Sequence, residues 1–264
     1  MPNATKSYSN GVIKSIFFQS SRAVFQGGGC RGAALAGAYE AASNCGVKFT
    51  EVAGTSAGSI IAALIGANAT PPTVKNILMD LDFKTLLGKP EKGDGCKSAF
   101  LRTLAYFFYP FKYSSKVAYI RNIILFGGRY SSGPIEVWMN DVLRNLLPHV
   151  HGKVQFKDLI IPTRIVATDL SASKAKIWGT KETPDESVAF AVRCSCSIPF
   201  VFQAVEHGCN RFVDGGVISN LPAFVYREED ATGQSIANRI LAFRFQGEDA
   251  QSVEWEPKET ASRL

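Results

Sequence analysis

Two glycine-rich turns, each pressed between an apolar run and a helix-forming stretch, lie within about 35 residues of each other and restrict the fold more than any other feature. The first apolar run, "SRAVFQ" (residues 21–26), stops at "GGGCRG". "AALAGAYEAASNCG" follows with alanine-rich helical character, and Gly46 is placed to end the helix. A second strand, "VKFTEVAG" (47–54), leads at once into "SAGSIIAALIGANA" (56–69), a buried helix that should end before Pro71 and Pro72. Strands that alternate with helices in this way form a parallel sheet covered by helices, which excludes all-helical bundles and β-sandwiches.

Residues 73–150 carry a different signal: "TVKNILMDLDFKTLL" looks helical, "GKPEKGDG" is a polar loop, and "FLRTLAYFFYPFKYSSKVAYIRNIILF" mixes aromatic with basic residues. Such a region is expected as a variable helical cap or insertion. After Gly152, "FKDLIIPTRIVATDL" brings back a buried strand, with "KAKIWGT" paired beside it. "SVAFAVRCSCS" (187–197) reads as a short helix, "FVFQAVEHGCNRFVDGG" as a hairpin turning near Gly208, and "RILAFRF" (239–245) as a last strand. The expected organisation is one domain over residues 1–264, with a motif-bearing core at about 22–245 and a polar tail at 246–264 that is either a terminus or the cut end of a longer chain. At 46% hydrophobic the chain can bury a large core.

Composition narrows the function classes. An excess of 29 Lys and Arg over 23 Asp and Glu suits an anionic surface such as a phospholipid membrane or a nucleic acid, and equally suits solubility alone. The six cysteines (30, 45, 96, 194, 196 and 209) form no C-x-x-C pair and no zinc-ligand spacing, which points to reduced thiols in the cytoplasm and to no metal or other cofactor. The N-terminus lacks an apolar core of signal-peptide length, and no stretch approaches the roughly 20 apolar residues of a membrane span. A soluble protein with peripheral membrane contact is expected.

"GTSAG" (54–58) has the G-x-S-x-G form of a nucleophile elbow, although roughly one chain in ten of this length carries that pentapeptide by chance. The bland alternative is that Thr55 or Ser56 caps the next helix. Strand, tight turn and immediate helix favour the elbow, and the N–H groups at the helix start favour negative charge beside Ser56. "QGGGCRG" lies on the neighbouring loop, where consecutive glycines turn several N–H groups towards one point as an oxyanion hole. As G-x-G-x-x-G (27–32) it also fits a nucleotide-phosphate loop, with Glu51 near the position of the acidic residue that such loops require.

A nucleophile needs a base, and the chain has three histidines. His149 and His151 lie in "LLPHVHGK", where solvated histidines are the ordinary expectation. His207 sits in the hairpin turn, and Asp214 lies on the returning strand roughly 13 Å further on, so one hairpin does not easily bring both to the same serine. Asp214 ends the apolar "RFV" and precedes "GG", which leaves its carboxylate at the rim; its plain alternative is a turn aspartate. Ser56 with Asp214 would be a dyad needing no histidine, whereas Ser56 and His207 with Asp169 or Asp185 would be a triad.

In order, "GGGCRG" (27–32), "GTSAG" (54–58) and "DGG" (214–216) resemble the motifs of the patatin-like phospholipases. "CSCSIPFVFQAV" (194–205) and "DGGVISNLPA" (214–223) extend the likeness, which covers about residues 22–245. It implies a three-layer α/β/α patatin-like fold, a mostly parallel central sheet flanked by helices, and lipid acyl hydrolase activity of phospholipase A type. Ser56 would attack the ester carbonyl, and Asp214 would take its proton. The N–H groups of Gly27, Gly28 and Gly29 would hold the oxyanion, and Arg31 would support that loop or an anionic substrate. Gly32, Gly54, Gly58, Gly215 and Gly216 complete the motifs. Gln26 replaces the commoner aspartate before the glycines, which bears on loop anchoring.

The resemblance makes phospholipid the substrate, gives nucleic acid no role and implies no cofactor. Family members include injected toxins and bacterial defence effectors, roles that usually depend on an activating ligand or protein partner. "YFFYPFKYSSKVAYIRNIILF" (106–126), with Phe107, Phe108 and Phe111, is the candidate for resting on the bilayer; its alternative is a core helix pair with exposed charges.

Overall fold

Both glycine turns separate strand from helix where the sequence places them. The computed structural model describes residues 20–90, 127–227 and 239–245. Strand β1 (Ser20–Phe25) passes through the glycine loop into α1 (Gly32–Asn44), and β2 (Lys48–Thr55) turns at Ser56 straight into α2 (Ala57–Gly66). Every residue of α2 is buried, which explains a sequence with no polar face. That helix ends before Pro71 and Pro72, as expected, and the two prolines open α3 (Pro71–Met79), where a missing N–H costs nothing. Thr70 caps that helix, its hydroxyl accepting from Thr73 N.

The sheet runs β7 (Val205–His207), β8 (Asn210–Asp214), β4 (Thr163–Asp169), β2, β1, β9 (Ile240–Phe243), with β5 (Lys174–Gly179) also paired to β4. Its centre, from β9 to β4, is parallel, while β5 and β8 pair antiparallel with β4 and β7 pairs antiparallel with β8. The main core lies on one face, under α2, α4 (Gly133–Leu146) and α5 (Val188–Ser195). On the other face Val24 and Ala53 pack against Tyr226, at the end of a short 3-10 turn over Ala223–Tyr226. The architecture is therefore mixed α/β, with helices flanking a central, mostly parallel sheet. One sequence expectation is corrected: "FVF" does not join the hairpin. As β6 (Phe200–Phe202) it pairs in parallel with β3 (Gly128–Tyr130) in a separate two-stranded sheet, and the hairpin is β7–β8 alone, turning at Gly208.

Strand β4 has two edges and three partners. Thr163 and Thr180 bond across to the β5 side, while Pro162 O accepts from Val52 N on the β2 side. Peptide groups alternate direction along a strand, so Leu170 N, which donates to Arg211 O, faces the same edge as Pro162. Strands β2 and β8 thus share one edge of β4: Thr55 lies opposite Val166, and Asp214 lies opposite the next residue, Ala167. The parallel strand ends where the antiparallel one begins.

Away from that junction, adjacent strands bring Arg22, Glu51 and Arg164 together in a nearly buried ion cluster. Arg164 Nη1 lies 2.8 Å from Glu51 Oε2 and its Nε lies 2.7 Å from Glu182 Oε1; Arg22 Nη2 and Lys181 Nζ reach Glu51 Oε1 at 3.5 and 3.3 Å. Both guanidinium groups lie over the Tyr226 ring, 5.2 and 5.3 Å from its centre, and burial pushes the Tyr226 phenol up. Glu51 pairs with Arg22, at the start of β1, whereas the glycine loop follows the end of that strand. Its carboxylate is thus held by cations, which removes the acidic residue that a nucleotide loop would need. Glu51→Gln should cost about 2–3 kcal/mol in denaturant unfolding, because it strips a partner from two nearly buried arginines. Turnover per folded molecule should not change.

Candidate active site

Ser56 sits at φ 52° and ψ −126°, a strained backbone for a residue with a side chain. Its glycine neighbours make that turn possible by close approach. A Cβ on Gly54 would run into the Gly58 carbonyl, and one on Gly58 would run into the carbonyls of Phe25 and Gln26. The first turn of α2 therefore lies directly on the ends of β1 and β2. The helix-cap alternative fails for Ser56, because its side chain accepts no capping hydrogen bond, whereas Thr70 and Ser187 do cap their helices. Ser59 Oγ donates to Ser56 O at 2.6 Å, and Ser56 N donates to Ser195 Oγ at 2.9 Å. The Ser56 hydroxyl is left for other work.

Asp214 ends β8 beside this turn and is buried with it, each being 5% exposed. Its backbone is tied on both sides: Asp214 N donates to Ser197 O at 2.8 Å, and Thr168 Oγ1 donates to Asp214 O at 3.0 Å. Oδ1 accepts from Gly216 N at 2.7 Å. Oδ2 is buried without a well-aligned hydrogen bond to any described residue, yet the Ser56 hydroxyl is close enough to act on the carboxyl. Burial pushes the Asp214 pKa up, and the Ser56 hydroxyl and Gly216 N–H pull it partly back. Burial, with the Asp214 charge nearby, likewise pushes the Cys196 thiol up to about 12.

The glycine loop is held from two directions. Gly27 N donates to Asn220 O at 2.9 Å, and Asn220 Nδ2 donates to Gly27 O at 3.0 Å. Of the three glycines expected to face an oxyanion, Gly27 has its N–H committed to Asn220. Among the described residues no acceptor meets the N–H of Gly28 or Gly29. Gln26 anchors the loop in place of the commoner aspartate: its N donates to Phe243 O at 3.0 Å and its Oε1 accepts from Phe245 N at 2.7 Å. The Phe245 ring lies against Gly28, where no Cβ would fit, and 5.0 Å from the Arg31 guanidinium.

Ser56, Asp214, Gly27, Gly28, Gly29, Arg31, Gly216 and Asn220 line one cleft of about 330 Å³, walled on its apolar side by Ile198, Pro199 and Val217. Gly32 lies in close contact with Ala57, and Gly215 fits beneath the Val166 carbonyl. The alternative bases lie elsewhere: His207 packs at a tilt against Phe190 at the far end of the hairpin, with ring centres 5.0 Å apart, and His149 and His151 lie in the loop after α4. Asp169 accepts from Ser171 N and Ala172 N within its own turn, and Asp185 pairs with Lys157. Asn220 and Ser195 lie inside longer motifs and Phe245 inside a strand-like run, where no local signal marks any of them for a role. The segment 106–126, with Phe107, Phe108 and Phe111, and the tail 246–264 lie outside the described residues.

A carboxyl whose folded pKa is raised destabilises the fold wherever it is ionised. Asp214→Asn should therefore raise the melting temperature at pH 7. The gain should shrink as pH falls through the raised pKa and vanish below the ordinary value of 3.8, where both states are protonated. Melting curves from pH 3 to 8 check the sign.

Comparison with known proteins bears on the family and the fold. The chain is 35% identical over 218 residues to protein YqhO of Bacillus subtilis, covering 78% of this chain and 66% of that one. It is 28% identical over 205 residues to the probable lipid hydrolase 463L of Invertebrate iridescent virus 6, covering 75% and 60%. The chain thus spans less than two thirds of the length of either relative. The crystal structure of VipD from Legionella pneumophila superposes with a TM-score of 0.53 at 17% identity, covering 85% of this chain and 49% of that one, and shares the fold. The patatin-like phospholipase family model matches residues 23–225, and the chain belongs to that family.

Proposed function

We propose that the chain is a lipid acyl hydrolase of phospholipase A type that cleaves carboxylic esters of membrane phospholipids with Ser56 and Asp214. The observation that carries this is the buried Asp214 Oδ2, which has no well-aligned partner and lies beside a serine held at positive φ. Ser56 Oγ attacks the ester carbonyl as its proton passes to Asp214, and the alcohol leaves with that proton. Water then repeats the sequence on the acyl-serine: Asp214 takes its proton, the C–O bond to Ser56 breaks as that proton passes to Ser56 Oγ, and the fatty acid departs. The oxyanion faces Gly28 N, Gly29 N and the start of α2, where fixed donors act in a partly water-excluded site. Arg31, exposed at the cleft and steadied by Phe245, suits the lipid phosphate.

Ile198, Phe200 and Val217 are exposed apolar residues, and Ile198 and Val217 wall the cleft on the side that acyl chains would use. No helix among the described residues is long and apolar enough to cross a membrane, so the proposed substrate is met at the bilayer surface. An activating ligand or protein partner belongs to the same proposal.

Ser56→Ala and Asp214→Asn should each lower fatty-acid release from phosphatidylcholine–phosphatidylglycerol vesicles on the order of 10³-fold or more, as mass spectrometry of the products would read. Activity kept in Asp214→Asn but lost in His207→Ala would replace the dyad with a histidine base. In the wild type, kcat/KM should fall with decreasing pH as Asp214 is protonated. That limb should lie above the ordinary aspartate value because burial raises the group.

A further inference from the structure

We propose that Ser195 is a positioning residue for the nucleophile, its hydroxyl standing in for the ladder hydrogen bond to β4 that is missing just past the end of β2 and so holding Ser56 in its elbow. This rests on Ser56 being the nucleophile. In the parallel pairing of β2 with β4, Val52 N donates to Pro162 O at 2.9 Å, and alternate N–H groups of β2 face the same way. Two such steps bring Ser56 N towards Val166 O. That bond is not made directly: Ser56 N donates to Ser195 Oγ at 2.9 Å, and Ser195 Oγ donates to Val166 O at 2.6 Å.

One hydroxyl, which can accept and donate at once, therefore completes both buried backbone groups. Putting an oxygen between the strands sets Ser56 off from β4 where β2 ends, and Asp214 enters the same edge opposite the next residue, Ala167. The inserted hydroxyl accordingly supports the positive φ of Ser56 and the room that the carboxylate occupies. Ser195 is fully buried and does not line the cleft, so its action on chemistry runs through Ser56 rather than through substrate contact.

The test labels Ser56 with an alkyl fluorophosphonate: the Oγ–P bond forms, the P–F bond breaks and fluoride leaves, and intact mass follows the rate. Labelling should occur in the wild type and not in Ser56→Ala. Ser195→Ala should label roughly 10- to 100-fold more slowly, with kcat on a short-chain ester reduced alike and KM within about twofold. Ser195→Cys, close in volume but a weak donor, should fall between them and serves if the alanine variant does not fold. Ser132→Ala removes a buried hydroxyl hydrogen-bonded to Ser197 and should label at the wild-type rate. Equal rates for wild type and the Ser195 variants, or a loss confined to KM, would overturn the positioning role alone. No labelling of wild-type Ser56 would overturn the nucleophile assignment and this role together.

Discussion

Strand β4 offers one edge to two strands that approach from opposite directions, and the site follows from how they divide it. Backbone N–H and C=O groups in a buried sheet must find partners, so β2 and β8 cannot overlap on that edge and cannot leave a dry gap. β2 stops opposite Val166 and β8 begins opposite Ala167. The residue that ends the β2 pairing is followed by Ser56, and the residue that meets Ala167 is Asp214. Two ladders abutting on one strand thus bring together side chains 158 positions apart in sequence. The Ser195 hydroxyl closes the seam between them.

That seam requires small residues around it. Gly54 and Gly58 let α2 start against the strand ends, and Gly215 fits under the Val166 carbonyl, so the turn at Ser56 is held by close backbone contacts on several sides. The glycine loop is fixed separately, by Asn220 from the aspartate turn and by Phe245 from the segment after β9. Elements that sequence separates widely therefore set the spacing of the Ser56 hydroxyl, the Asp214 carboxylate and the glycine-loop N–H groups. The raised pKa of Asp214 fits the same economy: a carboxyl desolvated enough to accept a proton readily also weakens the fold that desolvates it.

The alternation of strand and helix was legible because hydrophobic period and glycine placement are local signals, and β1, α1, β2 and α2 begin within a residue or two of where those signals put them, although α2 ends three residues early, at Gly66. The residues of the cleft were legible too, since "GTSAG" and "DGG" have characteristic local forms and Ser56 and Asp214 both reach one cleft. An expectation failed where a local signal had two meanings: "FVF" is equally strand-like whether it pairs with the hairpin or with Gly128–Tyr130.

The sequence by itself determined the parallel α/β class and the chemistry-bearing residues, because each depends on neighbours a few positions away. Tertiary structure alone decided which glycine N–H groups stay free, what replaces the missing ladder bond and which group anchors the loop in place of the commoner aspartate. Those outcomes rest on the Asn220–Gly27, Ser56–Ser195 and Phe245–Gln26 hydrogen bonds, whose partners stand 193, 139 and 219 residues apart. No local rule of period or turn chemistry reaches that far; only the sheet order brings such groups within hydrogen-bonding distance.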